Sequence, residues 1–194
     1  ILLPMKLVVL CSGNGTNFEN ILRTVHKHEV VLMIHNKEKC GAVKRAAKFG
    51  VPHIHIPHDN EDLMIRTIRA FHPDLIVLAG YMRILSSRFV GSFDRIINVH
   101  PSLLPKYKGA NAIEQALDSG DDVTGVTVHY VTEELDSGEI ILQSKVPIMP
   151  EDDIKSLTKA IQRREYGILP EAINLIGDSL ESVHFDMKYP QKAV

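Results

Sequence analysis

The sequence offers little material for disulfide chemistry, membrane insertion or a broad nucleic-acid surface. Its two cysteines, Cys11 and Cys40, fall far short of a disulfide framework, and reduced thiols in the cytoplasm are the expectation. No apolar run approaches the roughly 18 residues of a bilayer span. The lead-in Ile1-Leu2-Leu3-Pro4 ahead of Met5 is too short for a secretory signal. A net charge of −2 argues against a basic face covering the whole protein, so nucleic acid and membrane are both unexpected as partners. There is no internal repeat, low-complexity tract or linker. What is present suits one α/β domain over residues 1–194, with 44% apolar and 24% charged residues.

Strand-like and helix-like patterns alternate along the chain. Lys6-Leu7-Val8-Val9-Leu10 is a β-rich apolar run. After the turn Cys11 to Asn17, the residues Phe18, Ile21, Leu22 and Val25 recur at helical spacing. Strand, glycine loop and helix in that order suit an anionic group, because backbone N–H groups and a helix N-terminus converge there. A dinucleotide is disfavoured: Phe18 stands where a third glycine or alanine is wanted, and His35-Asn36 where an acid is wanted. The P-loop lysine is also missing. A single phosphate on Gly13, Asn14, Gly15, Thr16 and Asn17 survives these tests, as does a plain βα turn with no ligand.

Val30 to Ile34 reads as a second strand, Ala42 to Phe49 as a helix stopped by Gly50, and Pro52 to Pro57 as a third strand. His53 and His55 share a face of that strand, and with no further ligand at useful spacing they read as ordinary polar-face histidines. A helix capped by Asp59 or Asn60 leads to a fourth strand, Asp74 to Ala79. The apolar loop Tyr81 to Leu85 follows directly, placed either to line a pocket or to pack in the core. Ala110 to Ser119 is an expected helix. Val123 to Val131 and Ile140 to Val146 are strands joined by so short a charged turn that they should pair antiparallel. The last expected helix follows Asp152 and is punctuated by Pro170. Residues 178–194 read as a short strand and a loose tail.

The chemistry concentrates in Ile96 to Gly109. Asn98 and His100 lie two apart in an apolar run, so on a strand they project from one face. Pro101 and Pro105 bracket a stiff loop that is neither helix nor central strand. An amide donor beside a titratable imidazole at a strand's carboxyl end suits acyl transfer; alone, the pair also fits a polar strand end satisfied by backbone and water.

Asn98-Val-His-Pro-Ser-Leu-Leu-Pro-Lys-Tyr-Lys-Gly109 closely resembles the signature of the folate-dependent formyltransferases. Leu135-Asp136-Ser137-Gly138 with Ile140-Ile141-Leu142-Gln143 resembles a second signature, whose aspartate completes the family's active site. Without the family, Asp136 is an ordinary solvated turn acid. The resemblance, from about Met5 to Pro170, implies a Rossmann-like domain with a mostly parallel sheet, antiparallel strands toward the C-terminus and helices on both faces. It implies catalytic roles for Asn98, His100 and Asp136, and folate binding by Met82, Arg83, Ile84, Leu85, Val131 and Asp136. It also places Gln162 and Glu165, otherwise a solvated helix face, near a substrate ribose. The implied reaction moves a formyl group from the co-substrate 10-formyltetrahydrofolate to the amine of glycinamide ribonucleotide, the phosphate resting on the glycine loop, with no metal. Two positions depart from the phosphoribosyl members: Asn111 and Tyr166 replace their usual histidines. Other formyltransferases, a formyl-folate hydrolase and a non-enzymatic phosphate-binding module remain as alternatives. A homodimer is compatible with all of these.

Overall fold

The computed structural model describes residues 3–188. In chain order the elements are β1 (Lys6–Cys11), α1 (Thr16–Thr24), β2 (Glu29–His35), α2 (Gly41–Phe49), β3 (His53–His55), α3 (Glu61–Ala70), β4 (Leu75–Leu78), α4 (Ser87–Val90), β5 (Ile96–His100), α5 (Ala112–Ser119), β6 (Val123–Tyr130), β7 (Ile140–Pro147) and α6 (Ile154–Lys188). One seven-stranded sheet has the order β3-β2-β1-β4-β5-β6-β7. The first five strands are parallel, while β6 and β7 pair antiparallel. The order reverses between β1 and β4, and in doubly wound sheets ligands bind beyond the strand ends at that reversal.

Strand periodicity sorts the core into two layers. Leu7, Val9 and Cys11 of β1 join Val77, Ile97 and Val128 under Phe18, Ala42, Leu157 and Ile161 from α1, α2 and α6. Their neighbours Val8 and Leu10 point the other way, alongside Ile76 of β4 and Ile96 of β5, to Met64 and Ile68 of α3 and Phe89 of α4. Asn98 and His100 continue the parity of Ile96 and so belong to the α3/α4 side.

Three elements differ from the sequence reading. Asn111 adopts φ 60, so α5 begins at Ala112 rather than Ala110. The short helix α4, capped by Ser86 onto Phe89 N at 3.2 Å, is too brief for periodicity to reveal. The largest correction lies at the C-terminus, where residues 178–188 are helix rather than strand and tail; residues 189–194 lie outside the described residues.

Helix α6 also runs through Pro170 without stopping. Proline has no N–H, so the carbonyl of Tyr166, four residues earlier, lacks its helical donor. Asn20 of α1 supplies one instead, its Nδ2 donating to Tyr166 O at 2.6 Å.

Candidate active site

At the carboxyl edge of β1 and β4 the two loops are tied together. Ser12 N donates to Gly80 O at 3.1 Å, and Met82 N donates to Ser12 Oγ at 2.8 Å. Beyond this knot the chain opens on both sides of the sheet.

On the α1 side lies the glycine loop, whose residues have different tasks. A Cβ at Gly13 would meet nothing within 4 Å, so its backbone faces open space. Gly15 has φ 75, and a Cβ there would lie 2.7 Å from Ala42 Cα. Its lack of a side chain is therefore required by packing against α2, whatever the loop binds. Asn14 lies against Gly41 and accepts from Arg45 Nε at 2.7 Å through its carbonyl. Thr16 begins α1. The Asn17 amide is spent on Glu165, Nδ2 to Oε2 at 3.0 Å, and its Oδ1 is buried without a partner. Burial raises the Glu165 carboxyl above its ordinary value, and the Asn17 bond pulls it partly back. Glu165 is thus joined to the loop, whereas the Gln162 side chain is exposed and makes no hydrogen bond among the described residues.

On the α3/α4 side, Met82, Arg83 and Ile84 are exposed, Met82 and Ile84 by 74% and 79%. Leu85 and Val131 are half-buried and pack with the core beneath.

On the same α3/α4 side stand the polar residues of β5 and β6. The register sets Asn98 opposite His129 and His100 opposite Thr127, so all four share a face. Thr127 fixes the loop after β5: its hydroxyl donates to Ser102 O at 2.7 Å and accepts from Leu104 N at 3.1 Å and Gln143 Nε2 at 2.9 Å. That exhausts the hydroxyl's capacity. The Asn98 side chain makes no hydrogen bond among the described residues.

Asp136 arrives from the β6–β7 turn, in the left-handed region at φ 48 and only 8% exposed. Its Oδ2 accepts from Gly109 N at 2.7 Å and lies 3.5 Å from His100 Nδ1; its Oδ1 lies 3.6 Å from His129 Nε2. One buried carboxylate therefore stands between two buried imidazoles. The Tyr107 carbonyl accepts from His100 Nε2 at 2.7 Å, leaving Nδ1 as the nitrogen turned to Asp136. His129 Nδ1 donates to Tyr130 O at 2.9 Å. Desolvation lowers the His129 imidazole from its ordinary 6.5, against the pull of the Tyr130 carbonyl and Asp136. Its Nε2 has no hydrogen-bond partner.

The structure thus brings His100 and Asp136 together, with Asn98 on the same face, and adds His129, which the sequence reading passed over as one residue of a β-run. A second imidazole group, His35 with His53 and His55 at centroid distances of 5.7 and 5.4 Å, forms at the sheet edge through β2–β3 pairing. Among the described residues no three or more His, Cys, Asp or Glu side chains are arranged to hold a metal ion.

The fold is a doubly wound α/β domain with polar groups gathered at the carboxyl end of β5, beside the strand β4 that borders its switch point. Residues 5–173 match a profile described as formyl transferase, and the chain belongs to that family. It is 39% identical over 194 residues to the phosphoribosylglycinamide formyltransferase of Escherichia coli strain K12, covering 93% of this chain and 91% of that one. It is 38% identical to the trifunctional purine biosynthetic protein adenosine-3 of Gallus gallus, covering 92% of this chain but only 19% of that longer protein. A crystal structure of phosphoribosylglycinamide formyltransferase from Anaplasma phagocytophilum superposes with a TM-score of 0.87 at 35% identity, covering 90% of this chain and 87% of that one.

Proposed function

We propose that the chain transfers a formyl group from 10-formyltetrahydrofolate to the amine of glycinamide ribonucleotide; formyl transfer to phosphoribosylglycinamide is what the names of its relatives state. The observation that carries this reading is the Asp136 carboxylate set against His100, on the face that bears Asn98, at the carboxyl end of β5, the strand next to the switch-point strand β4. The exposed loop Met82 to Leu85 with Val131 faces the donor, and the open backbone at Gly13 receives the acceptor phosphate. Glu165, fixed by Asn17, is the side chain set for the ribose.

In the reaction the amine nitrogen attacks the formyl carbon and the C=O electron pair moves onto oxygen. Asn98, whose amide is uncommitted, and the Nδ1–H of protonated His100, whose Nε2–H stays on the Tyr107 carbonyl, donate to that oxyanion; donors fixed in advance are worth most in a water-poor site. The C–N10 bond then breaks, and the proton lost by the amine is delivered to N10, with Asp136 holding the path through His100 and an ordered water. Each bond made is matched by one broken, and no redox partner enters.

The test is a substrate comparison. Purified protein with 10-formyltetrahydrofolate should formylate glycinamide ribonucleotide and leave initiator methionyl-tRNA unchanged. Turnover of the tRNA or a sugar nucleotide alone would place the chain with another family member, a direction in which Asn111 points. Formate release without acceptor would mark a hydrolase, and phosphate-ligand binding without turnover a non-enzymatic module.

A further inference from the structure

The segment between Pro105 and Asn111 is held with more bonds than a surface loop needs. Tyr107 has φ 55, the left-handed region that a residue with a side chain seldom adopts. It persists because both ends of the residue are anchored. The carbonyl accepts from His100 Nε2 at 2.7 Å, and the hydroxyl donates to Asp121 Oδ2 at 2.6 Å. Asp121 lies just beyond α5 and contributes no group to the site itself. It also pairs with Lys106 Nζ at 2.8 Å, and the Lys106 carbonyl accepts from the buried Ser102 hydroxyl at 2.6 Å. A continuous chain of contacts therefore leads from the end of α5, through the tyrosine ring and its own backbone, to one nitrogen of His100.

We propose that Asp121 is a positioning residue for His100, acting through Tyr107 to hold the carbonyl that selects the Nε2–H tautomer and turns Nδ1 toward Asp136 and the reacting formyl group. A carbonyl only accepts, so in the neutral ring the proton must sit on Nε2 for this bond to exist. Free the carbonyl and the proton can move to Nδ1, or the ring can turn. Either change misaligns the group that acts on substrate. Lys106 secures Asp121 from outside but is not part of the path to His100. This inference rests on the proposed formyl transfer for its kinetic arm alone.

Two readouts test it separately. In nitrogen NMR of the histidine rings, recorded at a pH where the spectrum shows the His100 ring to be neutral, the intact protein should show His100 as the Nε2–H tautomer. Tyr107→Phe and Asp121→Ala should both replace that signal with a mixture, and Asp121→Asn, whose amide oxygen still accepts from the tyrosine, should restore it. In the formyl-transfer assay the first two variants should lower kcat about ten- to a hundredfold, the scale of a misplaced catalytic group, with both KM values within about twofold. Their double variant should be no worse than the poorer single, because they act through one bond. Lys106→Met should keep the tautomer and the rate. An unchanged His100 signal in Tyr107→Phe would overturn the proposal even if the protein transferred no formyl group. So would losses that multiply, or an effect of Lys106→Met equal to that of Tyr107→Phe. If the tautomer shifts as stated but intact protein forms no formylated ribonucleotide, it is the functional reading that fails.

Discussion

Asp136 touches two imidazoles that are not equivalent. His100 offers it Nδ1 at 3.5 Å with Nε2 held by the Tyr107 carbonyl, whereas His129 meets it at 3.6 Å through an Nε2 that has no hydrogen-bond partner. The substitution Asp136→Asn keeps the shape and removes the charge, so kcat should fall by about a hundredfold with modest change in KM. The double variant His100→Ala/Asp136→Asn should be hardly worse than its weaker parent, since groups acting on one transition state are not additive. Steady-state kinetics decide it: a raised KM at constant kcat, or losses that multiply, would make Asp136 a binding residue. Three residues of the site were legible in the sequence, for different reasons. Asn98 and His100 declare themselves by spacing of two before a proline, while Asp136 was visible only through its motif. His129 was not legible, because what brings it to Asp136 is its pairing with Asn98 across antiparallel strands, and register is a long-range property. The same holds for His35, which reaches His53 and His55 only through the β2–β3 ladder.

At the scale of elements, helix α6 and helix α1 are joined by a device that depends on a defect. Pro170 removes the donor that Tyr166 O would have used, and Asn20 replaces it at 2.6 Å. Asn20→Ala should therefore cost about 1–2 kcal/mol, leaving a half-buried carbonyl without a partner. In a Pro170→Ala background the helix regains its own N–H, and the same substitution should cost distinctly less. Denaturant unfolding of the four proteins measures this coupling; equal costs in both backgrounds would show that the amide is not compensating for the proline. The sequence offered Pro170 as punctuation because proline usually ends a helix. It persists here in the most buried stretch of α6, where Ile168, Leu169, Ala172 and Ile173 are 5% exposed or less and packing outweighs propensity. The glycine loop holds a comparable lesson. Its glycines suggested a ligand, yet Gly15 is required by Ala42, and only Gly13 keeps open space that a ligand could use.

For the molecule as a whole, alternating apolar periods announced the α/β class, and the short β6–β7 link announced its antiparallel end. Strand order and the assignment of faces were not in the local pattern, since they follow from which crossovers can pack. The same assembly sets the response of stability to pH. Burial lowers the imidazoles of His28, His35 and His129 below 6.5. As pH falls through that value the unfolded chain binds protons that the folded one refuses, so folding stability should decline. Glu165, raised by burial, opposes this, because the folded state then takes up its proton first. Glu19, Asp121, Asp152 and Asp153 are lowered and act only at more acid pH. With three groups against one, the melting temperature should fall between about pH 7.5 and about pH 5.5. His35→Asn, away from Asp136, should flatten that slope in thermal scans; an unaltered slope would exclude His35 from it.

Ser12 has a further consequence. Its N–H holds Gly80 and its hydroxyl holds Met82, so the loop after β1 and the loop after β4 share one fastener. A ligand that tightens either loop does so partly through that serine. Thermodynamic linkage then requires reciprocity: whatever occupancy of one loop does to affinity at the other, the second must do to the first by the same factor.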